Sequence, residues 1–180
     1  NRITFQLLIR KHHDLQHAST SYVFQNETIK ISQTVTDHVY NDSRSIHIPP
    51  QHQLVIVGGE VDSVSLARLA GQIGYETYLV VKENFLHALP ASVRVAYYKP
   101  EELGNVIKFD LQTAIVLMTH SLSKDLNYLI KLLEVESGYL GILGPPSRKE
   151  TILTNLMNHD EGLFLAHADK IEKIYGPVGL

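Results

Sequence analysis

The feature that most constrains the fold is an alternation of short apolar runs and helix-like segments from Gln53 onwards. The runs "QLVIV", "TYLVV", "AIVLM" and "YLGIL" are continuously apolar, which is typical of strands buried on both faces of a parallel sheet. A fifth predicted strand, "SVRVAYY", lies between the second and third of these runs. The segments between them have helical spacing, as at Leu126, Leu129, Ile130 and Leu133. With right-handed crossovers, the pattern predicts an α/β fold with a doubly wound, mostly parallel Rossmann-like sheet in the strand order 3-2-1-4-5.

A different pattern precedes this domain. Residues 1–48 contain "ITFQLLI", "SYVF" and "TIKISQTV" separated by polar turns, which predicts a small antiparallel β unit, a remnant of or linker from a missing N-terminal domain. Pro49 and Pro50 cannot join a central strand, so they mark the predicted boundary. We expect residues 49–180 to form the Rossmann-like domain and to be incomplete at the C-terminus, because the chain stops at Gly179-Leu180 without a closing element.

Composition narrows the functional classes. The 180 residues are 44% apolar with a net charge of −3 and no cysteine, so disulfides and Fe–S ligation are excluded within this sequence. There is no basic field for nucleic acid, no bilayer-spanning run and no signal peptide, so we expect a cytoplasmic protein without nucleic-acid or membrane partners. His13 and His17 in "HHDLQH" echo the zinc pattern H-E-x-x-H but lie between strand-like runs. We interpret the segment as a polar hairpin connection and predict no metal site.

The turn after the first Rossmann strand, "VIVGGEVDS", departs from the dinucleotide pattern G-x-G-x-x-G. Gly58 and Gly59 supply a turn, but Glu60 stands at the second glycine position and Ser63 at the third, where a pyrophosphate needs close backbone approach. The second strand has Val81 and Lys82 at its tip, where an acidic residue is expected for a ribose, and Glu83 and Asn84 lie just beyond it. A standard NAD site is therefore disfavoured. The loop is either a plain turn or a converted site, and in a converted site Glu60→Gly should improve nucleotide binding.

A second loop is expected to face the same crevice. Thr119 and His120 in "LMTHS" follow the fourth strand of the predicted order, beside the point where the strand order reverses. A histidine there could exchange a proton or donate to an anionic ligand, or it could simply bond a loop carbonyl.

The third loop, "GILGPPSRKE", contains Gly144, Pro145 and Arg148 and leads into a helix. Helix N-termini attract anions, and an arginine can clamp a phosphate or carboxylate. The alternative is that "SRKE" is a capping box with Ser147 as a possible N-cap and Glu150 as its partner, and that Arg148 is a solvated charge.

Several strings together resemble one known family. They are "IPPQHQLVIVGG", "DSVSLARLAGQIGYE", "AIVLMTHSLSKDLNYLIKLL", "YLGILGPPSRKETIL" and the terminal "YGPVGL". Over residues 48–180 the chain resembles the C-terminal Rossmann domain of the xanthine dehydrogenase accessory (XdhC/CoxI) family. The resemblance implies an accessory protein rather than a stand-alone enzyme. Such a protein binds the molybdenum cofactor, supports its sulfuration and delivers it to a molybdenum hydroxylase apoenzyme, usually as a homodimer.

The resemblance also implies positions for the site. The family's glycine loop, histidine, downstream aspartate and G-P-x-x-R fall on Gly58-Gly59, His120, Asp125 and 144–148. Together with the loop reasoning, the candidate cofactor-binding residues are Gly58, Gly59, Glu60, Thr119, His120, Gly144, Pro145 and Arg148.

The sequence departs from the family in four places. Most relatives have Gly-Ala-Gly at 58–60 and an aspartate at Val81. The family's N-terminal domain, with a glycine-rich, cysteine-containing segment, is absent, and relatives continue beyond Leu180 into D-I-G. Two alternatives therefore stay open: an NAD(P)-binding oxidoreductase, supported by the fold alone, and a ligand-free dimerisation or interaction domain.

Overall fold

The computed structural model describes residues 51–81 and 88–178, together with the backbone of 20–25, 28–32 and 44–48. The chain divides into two compact units, Asn1–Gln51 and His52–Leu180. The "HHDLQH" segment, the proline pair and the tip of the second Rossmann strand beyond Val81 lie outside the described residues.

The described residues of the first unit form the strands β1 (Thr20–Gln25), β2 (Thr28–Ser32) and β3 (Arg44–Ile48). They pair antiparallel in the order β2-β1-β3. The antiparallel pairing agrees with what the β-branched runs of this region predict.

The second unit alternates strands with helices. Its strands are β4 (Gln53–Val57), β5 (Glu76–Val80), β6 (Val93–Ala96), β7 (Thr113–Leu117) and β8 (Tyr139–Ile142). Its helices are α1 (Val61–Gln72), α2 (Leu103–Val106, after a 3-10 turn at Pro100–Glu102), α3 (Leu122–Leu132), α4 (Pro146–His159), α5 (Glu161–Ala166) and α6 (Ala168–Glu172). The strands form one parallel sheet in the order β6-β5-β4-β7-β8, which confirms the α/β class and the predicted order 3-2-1-4-5.

Alternate residues of each strand feed two separate cores, one on each face of the sheet. Val55 and Val57 of β4 join a cluster with Leu129 of α3 and Ile152 of α4. Leu54 and Ile56 join the opposite cluster, which contains Val64, Ala67 and Ala70 of α1. Because neighbouring Cβ atoms of a strand point to opposite faces, continuously apolar strands require helices on both. Helix α1 therefore covers one face, and α3 and α4 cover the other.

The start of α4 differs from the sequence prediction. The helix begins at Pro146, and its N-cap is Pro145, with extended backbone and no side-chain cap hydrogen bond. Ser147 lies inside the first turn, so the alternative of a capping box with Ser147 as a possible N-cap is wrong. The reason is that proline suits the first helical position, where its fixed φ is helical and its missing N–H has no partner to lose.

The carboxyl ends of the four strands β5, β4, β7 and β8 are level. Val57 of β4 stands opposite both Val80 of β5 and Leu117 of β7, and Leu117 stands opposite Ile142 of β8. The ladder continues one residue further through the hydrogen bonds Gly58 N to Val80 O, Met118 N to Val57 O and Leu143 N to Leu117 O. The loops after β4, β7 and β8 therefore leave the sheet at the same height.

Gly58 is the tightest point of this edge. Its φ is +152°, and a Cβ built there would lie 2.4 Å from the carbonyl oxygen of Met118. Backbone atoms of the neighbouring strand cannot move aside as a flexible side chain can. A glycine is therefore required by this close approach between β4 and β7.

We expect Gly58→Ala to lower the free energy of unfolding by more than about 2 kcal/mol, because it combines a backbone clash with an unfavourable φ. The matched control is Gly104→Ala in α2, where a Cβ meets nothing within 4 Å and alanine favours a helix by up to about 1 kcal/mol. Denaturant unfolding of both variants measures the difference. Equal stability of the two variants would contradict the close approach at Gly58.

Candidate functional site

Three loops meet at the carboxyl-terminal edge of the sheet, and we call them the switch-point loops: residues 58–60 after β4, 119–121 after β7 and 144–148 after β8. Strands β4 and β7 are hydrogen-bonded neighbours, while α1 and α3, which follow them, pack on opposite faces of the sheet. In doubly wound folds this divergence opens the crevice where ligands bind. The sequence prediction that these distant segments become neighbours is confirmed by the strand order.

A buried carboxylate connects the second loop to the third. Asp125, in the first turn of α3, is fully buried. Its Oδ1 accepts a hydrogen bond from Thr119 N at 3.3 Å and one from Thr119 Oγ1. Its Oδ2 accepts one from Arg148 Nη2 at 2.7 Å. The end of β7 and the first turn of α4 are thus bound to the same carboxylate.

Arg148 is held back against its own loop. Its side chain is 19% exposed, and a Cβ built on Gly144 would lie 2.5 Å from Arg148 Cδ. Gly144 also has a φ of +124°, which favours glycine. The alternative that Arg148 is a solvated charge is therefore wrong, because a buried acid on another helix determines where its guanidinium lies.

A second polar bridge connects the second loop to the first helix. His120 Nε2 lies 2.7 Å from Oδ2 of Asp62, with the two side chains 53% and 39% exposed. His120 has a φ of +56°, a left-handed conformation that non-glycine residues rarely adopt and that histidine tolerates better than most. The imidazole therefore bonds a carboxylate of α1, and the alternative of a loop carbonyl as its partner is not what the structure contains.

The residues at the start of α1 make hydrogen bonds to one another. Asp62 Oδ1 accepts from Ser63 N at 2.8 Å, and the buried Ser63 donates its hydroxyl to Glu60 O at 2.7 Å. Ser63 therefore fits at the third glycine position of the dinucleotide pattern because its hydroxyl has an acceptor within the turn. Glu60 is the exposed N-cap residue of α1 and makes no side-chain cap hydrogen bond.

The structure brings some predicted site residues into direct contact and leaves others at the loop surface. Thr119, His120 and Arg148 belong to the bridges described above, whereas Glu60 and Pro145 are exposed. Val81, at the position where the family resemblance implies an aspartate, is buried among apolar residues with its N–H bonded to Ala96 O.

The sequence alone did not identify Asp62 as part of this network, and it indicated Asp125 only through the family resemblance. Asp62 was not singled out, although an acid in the first turn of a helix that follows a glycine turn is a usable signal. Asp125 was placed only by the family resemblance. Its burial is not visible in the sequence, because an aspartate in a first turn is ordinarily solvated.

The described part of the chain was also compared with what a metal site and a membrane-spanning helix require. No group of three or more His, Cys, Asp or Glu residues there is arranged to hold a metal ion. None of the helices there is long and apolar enough to cross a membrane.

Fold, strand order and loop placement together define a Rossmann-type α/β domain whose candidate site lies at the switch point of the sheet. The sequence matches the family model described as the XdhC Rossmann domain over residues 54–180, and the chain belongs to that family.

A solved structure described as a xanthine dehydrogenase from Bacillus halodurans is similar to the chain. The TM-score is 0.65 at 20% sequence identity, and the similarity covers 91% of this chain and 55% of the other. At this identity the likeness establishes the fold, and the chain spans about half the length of that protein. No curated protein matches the sequence significantly.

We expect Arg148→Met to lower the free energy of unfolding by about 3–5 kcal/mol, because it leaves the buried Asp125 carboxylate without its cation. The control is Lys131→Met, which removes the exposed 3.3 Å pair with Glu134 and should cost less than about 1 kcal/mol. Denaturant unfolding measures both changes.

A double-mutant cycle with Asp125→Asn isolates the coupling of the pair. The cost of Arg148→Met should be smaller when Asp125 is already neutral. Additive costs would show that the two side chains act independently, contrary to the 2.7 Å contact.

Proposed function

We propose that the chain is the Rossmann part of an accessory protein for a molybdenum hydroxylase of the xanthine dehydrogenase or carbon monoxide dehydrogenase type. In this function it binds the molybdenum cofactor as cargo, or helps to deliver it to the apoenzyme, and does not act as a stand-alone catalyst. Membership of the XdhC family over residues 54–180 carries the proposal. The partner is the apoenzyme, and we propose that the chain works as a homodimer in the cytoplasm.

The chemistry of the switch-point loops fits a pterin that bears a phosphate. The third loop leads into the N-terminus of α4, whose first-turn N–H groups favour an anion. Arg148 lies in that turn and uses one nitrogen for Asp125, whereas a guanidinium carries five N–H donors. This end of the edge suits the phosphate.

The first loop and the start of α1 offer hydrogen-bond acceptors instead of donors. The exposed Glu60 carboxylate and the Asp62 carboxylate are hydrogen-bond acceptors at the start of α1. An amino-pterin edge offers N–H donors, which carboxylates accept. His120 lies between the two ends, because it follows β7 and contacts Asp62. The proposed orientation therefore puts the pterin ring toward α1 and the phosphate toward α4.

Two observations weigh against the NAD(P)-dependent oxidoreductase. The position that would carry an acid for the adenosine ribose is occupied by the buried Val81, and the start of α1 carries carboxylates where a pyrophosphate needs N–H groups. The shared fold alone supports this alternative, and fold does not determine function.

One observation favours the interaction-domain alternative. Leu69, in the last turn of α1, and Ile73, its C-cap residue, are 56% and 66% exposed. Apolar side chains that are this exposed and close together on one helix are more common at protein interfaces than elsewhere on a surface. The same surface also suits the proposed homodimer, so ligand binding is what separates the two functions.

The full-length protein, purified from cells that make molybdopterin, is expected to carry bound pterin, detected by its fluorescence after oxidation and release. His120→Ala should reduce the bound pterin at least tenfold, because the imidazole lies between the two proposed contact ends. The matched control is His159→Ala, at the exposed far end of α4, which should retain pterin like the wild type.

Parallel titrations with NAD(H) and NADP(H) decide between the three functions. Absence of pterin together with micromolar nicotinamide-cofactor binding would overturn the proposal in favour of the oxidoreductase. Binding of neither ligand would leave the interaction domain as the function.

A further inference from the structure

The start of α1, which is where a dinucleotide-binding fold receives a diphosphate, carries a carboxylate that bonds its own first turn. In such folds the pyrophosphate lies over the N-terminus of the helix that follows the first strand, and it accepts hydrogen bonds from the N–H groups there. Here Asp62 Oδ1 already accepts from Ser63 N at 2.8 Å. The side chain therefore engages one of the first-turn N–H groups to which a phosphate oxygen could bond.

The same carboxylate is fixed from the opposite side of the crevice. Its Oδ2 lies 2.7 Å from His120 Nε2, on the loop that follows the neighbouring strand β7. His120 adopts a φ of +56°, a left-handed conformation that is uncommon for a residue other than glycine. The Asp62–His120 bridge thus connects α1 to the loop after β7, across the crevice that a diphosphate would have to enter.

From these contacts we infer that Asp62 is a specificity-determining residue that excludes nucleoside diphosphates from the switch-point edge. A diphosphate would have to displace the carboxylate from Ser63 N, break its contact with His120 and remain beside a like charge. Each of these changes opposes binding. Glu60 adds a second carboxylate, but it is exposed and makes no cap hydrogen bond, so it can turn toward solvent at little cost.

The inference concerns the same crevice as the proposed function and rests on it for the ligand that the site accepts. It makes that function more specific: the ligand carries its phosphate toward α4 and presents donors to α1. It also moves the decisive residue of "VIVGGEVDS" from Glu60, where the glycine pattern is broken, to Asp62.

The test is calorimetric titration of the full-length protein with ADP and with NADH. Asp62→Asn keeps the shape of the side chain and removes its charge, and we expect it to raise ADP affinity at least tenfold above the wild type. Asp62→Ala should give at least the same gain, and its circular dichroism spectrum shows whether the fold is kept. The charge-matched control is Glu134→Gln, which removes an acid from the exposed pair with Lys131 and should bind ADP no better than the wild type.

Two more variants locate the effect. His120→Ala removes only the contact with the imidazole and leaves the Asp62 carboxylate bonded to Ser63 N, so it should give a smaller gain in ADP affinity than Asp62→Asn. Glu60→Gly alone should give a smaller gain than Asp62→Asn, because the Asp62 carboxylate still bonds Ser63 N.

The inference is overturned if ADP affinity is the same in the wild type and in both Asp62 variants, or if Glu60→Gly gains as much as Asp62→Asn. Because ADP and NADH are the probes, these results stand whether or not pterin co-purifies. A failure of the molybdenum-cofactor proposal is therefore distinguishable from a failure of this one.

Discussion

The carboxylate of Asp125 has no contact with solvent and must be balanced where it lies. An unpaired charge in such a position costs several kcal/mol, so the groups that balance it are held in place. Those groups are the N–H and hydroxyl of Thr119 and the guanidinium of Arg148. One interaction centre on α3 thereby sets the exit of the chain from β7 and the first turn of α4, which are separate segments of the sequence.

From this centre, polar contacts continue along the edge of the sheet. Thr119 precedes His120, which reaches Asp62 on α1, and Asp62 bonds the first turn of its own helix. The three switch-point loops are therefore connected by side chains as well as by the level ends of their strands. The fold is that of dinucleotide-binding domains, but at the helix start where those domains leave N–H groups for a ligand, this chain provides a carboxylate of its own. This difference in loop chemistry, rather than the fold, distinguishes the two classes.

Much of the fold was predictable because its determinants are local. Each continuous apolar run became a strand within a residue or two of its predicted bounds, since only a strand buried on both faces needs such a run. The strand order is the one common to dinucleotide-binding sheets, and the right-handed crossover rule left few other topologies open. The N-cap of α4 was mispredicted at Ser147 because two local rules competed: the preference of serine for the cap and that of proline for the first helical position, and proline prevailed.

The placement of the three switch-point loops was predictable, but the bonds between their side chains were not. The sequence by itself determined that the glycine turn, the Thr119-His120 loop and the loop before Arg148 would share one edge, because the carboxyl ends of neighbouring parallel strands lie together. Only the tertiary structure decided that Arg148 would be bound to a buried acid rather than solvated, and that His120 would meet Asp62. These pairings join residues 23 and 58 positions apart. They depend on burial and on the directions in which side chains leave different helices, which a linear sequence does not contain.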